Sequence, residues 1–301
     1  MPQPIEVIIN AGSGSVESEK TKRTLAELFE ANGVEAHIHL AKTGGEILEL
    51  AKKLAASDAE TIVAGGGDGS VSAVAAEVIK AGKILGVLPL GTLNNFSKDL
   101  QIPQEIEEAV RVIAANHVKV IDVGAVNGRM FVNNSSIGLY PHIVRRREKQ
   151  QRLGRGKWRA AFWAALRILK RSPFLAVRLE TEEGRRIVKT PFVFVGNNEY
   201  EMDFFNIGRR ARLDDGKLSV YFLHRSGRKG LFLLALRTLF GRLRQTKDFE
   251  EINTAEITIE TRKKRILVAF DGEVEKRETP LHYKIQAQAL RVIAPREIVE
   301  E

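Results

Sequence analysis

The chain has 301 residues, 47 Lys and Arg against 38 Asp and Glu for a net charge of +9, and no cysteine. Its length leaves room for one large or two medium domains, and two are expected; the 44% hydrophobic and 28% charged fractions argue against a disordered, fibrous or membrane-spanning chain. The lack of cysteine removes disulfides, thiolate metal sites and a cysteine nucleophile, and a reducing compartment such as the cytoplasm is expected.

Residues 1–10 run straight into an apolar strand pattern, so no signal peptide is expected, and no apolar run reaches the roughly 18 residues of a membrane span. Through residue 120, short β-branched runs alternate with helical patterns, the signature of a parallel sheet covered by helices. Strands are predicted at 5–10, 36–40, 61–65 and 84–88, with helices at 16–31, 44–56, 69–81 and 104–115. Crossovers of this length bring the strand-to-helix loops to one sheet edge, where ligands of such folds bind. Beyond Val118 the texture is β-rich, with strands predicted at 118–126, 131–134, 174–180, 187–195, 218–223, 252–260, 266–269 and 289–293. Many short strands with turn signals predict an antiparallel sandwich, interrupted by helical inserts at 156–171 and 229–243.

The strongest chemical signal is the run Ala64-Gly65-Gly66-Gly67-Asp68-Gly69-Ser70, which leaves a predicted strand and opens a helix. Glycines let main-chain N–H groups approach phosphate, the helix N-terminus adds partial positive charge, and Asp68 can reach a magnesium ion bridging phosphates. Asn10-Ala11-Gly12-Ser13-Gly14 and Thr43-Gly44-Gly45 follow the first two strands in the same way. After the fourth comes Gly91-Thr92-Leu93-Asn94-Asn95, where Thr92 and Asn94 offer a hydroxyl and an amide to a phosphate or an acceptor hydroxyl, or where Asn94 caps a helix. Far downstream lies Phe270-Asp271-Gly272-Glu273. Glu273 is suited to take a proton from a hydroxyl acceptor during phosphoryl transfer, although Asp-Gly between strands is by itself a hairpin turn.

In order and spacing, Gly66-Gly67-Asp68-Gly69-Ser70, Gly91-Thr92-x-Asn94 and Asp271-Gly272-Glu273 resemble the catalytic domain of the diacylglycerol kinase family, which includes bacterial lipid kinases and sphingosine kinases and is distantly related to NAD kinases and phosphofructokinases. The resemblance covers essentially the whole chain. It implies a nucleotide-binding α/β domain of the NAD kinase and phosphofructokinase kind over residues 1–123, joined by about 287–301, and an antiparallel β-sandwich domain for the lipid over 124–286, with the active site in the cleft between them. It implies that ATP is held by Asn10, Ala11, Gly12, Ser13, Gly14, Thr43, Gly66, Gly67, Asp68, Gly69, Ser70, Val71, Ser72, Thr92 and Asn94. Glu273 becomes the proton acceptor, with Asp271 and Asp68 as further catalytic carboxylates. It also implies a structural Mg2+ at the turn Arg212-Leu213-Asp214-Asp215-Gly216-Lys217, through the Asp215 carboxylate and the carbonyls of Arg212 and Lys217; the turn alone is equally an ordinary one. Asn95 departs from the pattern, standing where many of these kinases carry an aspartate.

Eleven Lys or Arg and one acid lie between Arg145 and Arg171, a local net charge of +10. Within that stretch Trp158, Ala161, Phe162, Ala165 and Leu169 share one helical face, ringed by Lys157, Arg159, Arg167, Lys170 and Arg171. A basic amphipathic helix of this kind suits a lipid headgroup layer or a packed surface, and 229–243 repeats the pattern. The partners expected are ATP, a membrane lipid acceptor and an anionic membrane surface, with no nucleic acid and with a homodimer among the allowed assemblies. The location expected is the cytoplasm, at the inner face of the membrane. Two other readings stay open: an NAD kinase-like enzyme, and an inactive module that binds anionic lipid. The six histidines show no metal spacing, and a structural role is expected for them.

Overall fold

A computed structural model describes residues 4–12, 15–139, 141, 174–203, 206–210, 212–223 and 249–296. The basic inserts predicted at 156–171 and 229–243, and the candidate nucleotide contacts Ser13 and Gly14, lie outside the described residues. The chain divides into two compact units, Met1–Val123 with Gln286–Glu301, and Gly124–Ile285.

The first unit is built from β1 (Ile5–Asn10), α1 (Ser15–Ala31), β2 (Ala36–Ala41), α2 (Gly44–Ala55), β3 (Thr61–Gly66), α3 (Asp68–Ala81), β4 (Ile84–Pro89), α4 (Asn95–Asp99) and α5 (Ile106–Ala115). It also holds most of β5 (Val118–Val126). The strands are parallel in the order β2-β1-β3-β4, and β3 and β4 are buried at every position. Strands covered on both faces must be apolar throughout, which is why TIVAGG and ILGVLP read as unbroken runs. The crossover helices bury Leu25 and Phe29 from α1, Ile47 and Ala51 from α2, and Val74 and Val78 from α3. Because the strands are parallel, their carboxyl ends share one edge, and Asn10, Gly66 and Pro89 all stand on it.

The second unit contains β6 (Arg129–Phe131), β7 (Asn134–Gly138), β8 (Leu175–Thr181), β9 (Gly184–Thr190), β10 (Phe192–Asn197), β11 (Tyr200–Asp203), β12 (Asn206–Arg210), β13 (Leu218–Leu223), β14 (Phe249–Thr254), β15 (Glu256–Thr261), β16 (Arg265–Phe270) and β17 (Glu273–Glu278). A last strand, β18 (Leu281–Ile293), pairs antiparallel with β15 through its first half and parallel with β4 through its second. One antiparallel layer runs β14-β13-β10-β7-β16-β17, and the facing layer includes β15, β8 and β9. Val193, Val195, Val220, Phe222 and Val268 from the first layer bury against Val177, Leu179, Ile257, Ile259 and Tyr283 from the second. This is the antiparallel sandwich that the strand pattern predicts.

Four local departures have physical causes. The run predicted as one strand at 187–195 is split by Pro191, which has no N–H for a ladder. The run predicted at 252–260 breaks at Ala255 into β14 and β15. The strand predicted at 131–134 is instead a bend between β6 and β7, because the Asp271 carboxylate takes the N–H groups of Val132, Asn133 and Asn134. β17, with the sequence EVEKRE, ends its sheet and presents the charged face expected of an edge strand, without the apolar alternation that would have revealed it.

Candidate active site

Three loops of the first unit interlock at the carboxyl ends of the parallel strands. Asn10, the last residue of β1, donates its amide to Ser70 Oγ at 2.9 Å and accepts the Gly12 N–H at 3.1 Å. Gly66 passes so close to the first turn of α3 that a Cβ there would meet the Ser70 Cβ at 2.8 Å. The next contact is tighter: a Cβ on Gly91 would lie 2.3 Å from the Gly67 Cα and 2.8 Å from its nitrogen. Only two glycines allow the main chains of these loops to touch, and the floor where they meet is built from peptide groups of both loops.

Asp68 and Asn94 fix that contact. The Asp68 carboxylate accepts the N–H groups of Asn95 at 3.2 Å and Phe96 at 3.0 Å, capping the short helix α4 from the neighbouring loop. Asn94 takes a left-handed backbone (φ 52°); its Oδ1 accepts the Gly91 N–H at 2.9 Å, and its Nδ2 donates to the Pro89 carbonyl at 3.0 Å and to Gln104 Oε1 at 3.3 Å. The amide expected to meet phosphate or acceptor is therefore turned inward, and although Asn94 stands at the N-cap position its side chain makes no capping bond. Thr92 stays exposed on the loop tip.

Thr43 also has local work. Its Oγ1 accepts the Glu46 N–H at 3.2 Å and donates to Glu46 Oε1, while Glu46 Oε2 accepts the Lys42 N–H at 2.8 Å. Thr43 caps α2, and Thr43-Gly44-Gly45-Glu46 carries the S/T-x-x-E signature of a capping box, with the return bond from Glu46 reaching the N–H of Lys42, one residue before the cap. Ala11, Val71 and Ser72 are buried, so their side chains face the interior; Gly12, Gly67, Gly69 and Ser70 are accessible around the helix N-terminus.

In the second unit, Asp271 and Gly272 form the two-residue turn between β16 and β17, both with positive φ (45° and 91°), as an Asp-Gly hairpin requires. Asp271 is 8% exposed. Its carboxylate accepts main-chain N–H groups from Val132 (2.9 Å), Asn133 (2.8 Å) and Asn134 (3.0 Å), so it organises the bend. Buried Arg210 holds the same bend through the Val132 carbonyl at 2.7 Å and Asn133 Oδ1 at 3.0 Å. Glu273 opens β17 with its side chain 53% exposed and its Oε2 3.2 Å from Arg129. Of the three catalytic carboxylates expected, then, Glu273 has the exposure to meet a hydroxyl, while Asp68 and Asp271 bond main-chain N–H groups.

At the proposed metal turn, Asp215 Oδ1 lies 3.1 Å from Arg212 Nε, and the Lys217 carbonyl accepts the Asn198 N–H at 3.1 Å. The donors offered, one carboxylate and the carbonyls of Arg212 and Lys217, are all oxygen and suit a hard dication; Arg212 is the present partner of the carboxylate. Among the described residues no three His, Asp or Glu converge as a metal cluster. His37 and His39 both bond Glu6, and His282 bonds Thr258. Arg129, Glu275 and Arg210 were not anticipated. No local pattern marks the pairing of Arg129 with Glu275 or of Arg210 with the Val132 bend, since each joins residues far apart in the chain.

The diacylglycerol kinase catalytic domain family matches residues 4–126, and the YegS C-terminal NAD kinase beta sandwich-like domain family matches residues 138–294. A relative assigned as a YegS-like lipid kinase, from Klebsiella pneumoniae (strain 342), is 29% identical over 144 residues, 47% of this chain and 48% of its own. A diacylglycerol kinase of Staphylococcus carnosus (strain TM300) is 27% identical over 232 residues, 75% of this chain and 74% of its own. The chain thus spans about half the length of the first relative and about three quarters of the second. The crystal structure of a protein assigned as a diacylglycerol kinase, from Bacillus anthracis str. Sterne, superposes with a TM-score of 0.72 at 26% identity, covering 98% of both chains. No helix among the described residues is long and apolar enough to cross a membrane.

Proposed function

Because the chain belongs to the diacylglycerol kinase family, carrying its catalytic domain ahead of a YegS-type C-terminal domain, we propose that it is a lipid kinase that moves the γ-phosphoryl group of ATP to a hydroxyl of a diacylglycerol-like membrane lipid. The observation that carries this reading is the main-chain contact where Gly67 meets Gly91, at the N-terminus of α3. Such a contact admits a phosphate chain against main-chain N–H groups, and the helix dipole favours its negative charge.

In this reading, residues 1–123 with 287–301 hold ATP and residues 124–286 receive the lipid. The Asn10, Gly66–Ser70 and Gly91–Asn94 loops hold the nucleotide. Asp68 and Asn94 act as positioning residues that keep the loops interlocked. Glu273 takes the proton of the acceptor hydroxyl as the new O–P bond forms and the bond to ADP breaks. Asp271 positions Glu273 through the hairpin turn. Asp215 with the Arg212 and Lys217 carbonyls would hold a Mg2+ ion, and a Mg2+ ion bound with the nucleotide would supply charge neutralisation at its phosphates. The basic stretch of 145–171 supports attachment to an anionic membrane face from the cytoplasm.

The test is incubation with labelled ATP, Mg2+ and a panel of diacylglycerol, other lipid alcohols and NAD, with Glu273→Gln alongside. Label is expected in a lipid, with the variant slowed by about 100-fold or more. Label in NAD, or in nothing, overturns the reading.

A further inference from the structure

Glu273, Glu275 and Arg277 occupy alternate positions of β17 and so share one face of the strand. Arg129, reaching across from β6, places its Nη2 3.2 Å from Glu273 Oε2 and 3.6 Å from Glu275 Oε1. Arg277 closes the row, 2.5 Å from the other oxygen of Glu275. The Nε atoms of Arg129 and Arg277 are buried without a hydrogen-bond partner, so neither guanidinium is anchored through that nitrogen. Among the described residues the ion pairs of this face join two arginines and two glutamates, with Arg129 shared between the glutamates. Asp271, two residues before Glu273, is turned onto main-chain N–H groups and belongs to a different network.

The geometry of the Arg129 approach is fixed by the chain itself. β6 leads directly into the bend of Val132–Asn134, and that bend is bound to Asp271 in the turn that presents Glu273. A tie between main chain and carboxylate therefore sits beside a tie between guanidinium and carboxylate, and both join the same two segments.

We propose that Arg129 is a positioning residue for the general base, and that Glu275 is the second anchor that allows Glu273 to accept a proton without stranding the arginine. This rests on the reading of Glu273 as that base. A lone arginine would keep Glu273 ionised and aimed, but it would also oppose the proton transfer the reaction needs, since protonation would leave the guanidinium with no counter-ion. With Glu275 in reach, the acceptor's proton passes to Glu273 and Arg129 keeps a carboxylate partner. The two flanking residues therefore act on Glu273 with opposite signs, which a purely structural role would not produce.

The experiment follows the Glu273 carboxyl by carbon NMR against pH in glutamate-labelled protein, its signal assigned by its loss in Glu273→Gln. The acid limb of kcat/KM is followed in parallel with diacylglycerol in detergent micelles. Arg129→Gln should move the Glu273 midpoint up, and Glu275→Gln should move it down, each by roughly half a pH unit as an exposed ion pair supports. Arg129→Lys should restore most of the shift, and the acid limb of kcat/KM should move the same way as the midpoint. Midpoints that stay put, or that move in one direction in both variants, overturn the proposal; thermal unfolding shows that the variants are folded. If Glu273→Gln keeps full kinase activity, the base reading itself fails. An inactive Glu273→Gln with unmoved midpoints defeats only the roles of Arg129 and Glu275.

Discussion

Asp271 and Arg210 hold one bend from its two chemical sides: the carboxylate collects the N–H groups of Val132, Asn133 and Asn134, while the guanidinium donates to the Val132 carbonyl and Asn133 Oδ1. Both are buried, at 8% and 4% exposure. The peptide groups of one bend are thus bound by a buried anion through their N–H groups and by a buried cation through a carbonyl. Tyr200 adds to the cation's surroundings, with its ring 5.5 Å from the Arg210 guanidinium carbon and its hydroxyl on the Asn133 carbonyl.

Asp271→Asn replaces an acceptor oxygen with an NH2 group facing N–H donors, and should cost about 2–3 kcal/mol. Arg210→Leu leaves buried carbonyls unpaired and should cost about as much. Because both residues act on the same bend, the double variant should cost less than the sum of the two. Urea unfolding of the four proteins measures all three expectations, and additive losses would mean that the bend does not couple them.

Gly91→Ala drives a methyl group into the Gly67 main chain and toward Asn94 Oδ1, which would lie 2.7 Å away. Gly67 is met at its main chain and the Asn94 amide is held by Pro89 and Gln104, so the loops must part. Expected are a stability loss of about 1–3 kcal/mol and a larger relative loss of ATP affinity, read by thermal unfolding and titration calorimetry. Unchanged ATP affinity would remove the Gly67–Gly91 contact from the nucleotide site.

Asp68→Ala uncaps α4 as well as altering the glycine loop, so it should lower stability by about 1 kcal/mol and activity together. Glu273→Gln should lower activity alone, because the side chain is half exposed. Comparing melting temperature with turnover for the two variants separates a carboxylate that builds the site from one that acts in it.

On β1 and β2, Glu6 lies 3.0 Å from His37 Nδ1 and 2.6 Å from His39 Nε2. Burial works to raise the Glu6 carboxyl, but the hydrogen bonds from His37 and His39 outweigh it and hold the group below its usual 4.5. The hydrogen bond to Glu6 raises His37 above its usual 6.5. A lowered carboxyl contributes stability above pH 4.5 and loses it as pH falls through its folded value; a raised histidine contributes below pH 6.5 and loses it as pH rises through its folded value. The melting temperature of the wild type should therefore exceed that of His37→Ala most between about pH 4.5 and 6.5, with the gap narrowing on either side. A gap that does not change with pH would show that the pair is uncoupled from folding.

The parallel strands were legible because burial on both faces demands unbroken apolar runs, and the interlocked glycine loops because glycine is the residue for close main-chain contact. The Asp271-Gly272 turn was legible as a turn, whereas at 187–195 the apolar run masked the break that Pro191 imposes. What local pattern could not disclose was the use of a side chain at long range. The bend at Val132 is set by a carboxylate 139 residues away, α4 is capped from 27 residues upstream, and Arg129 meets Glu273 across 144. The task of Asn94 was hidden for a related reason: an amide that closes its own loop has the same composition as one that greets a ligand.

The charges on β17 have a consequence for handling the protein. Among the described residues the strand is the last of its sheet, and the edge of such a strand would welcome one from another molecule. Glu273, Glu275, Lys276, Arg277 and Glu278 make such stacking unfavourable by forcing like charges into register. Variants stripped of both glutamates at 273 and 275 would be stickier at high concentration, so light scattering belongs beside any rate measured on them.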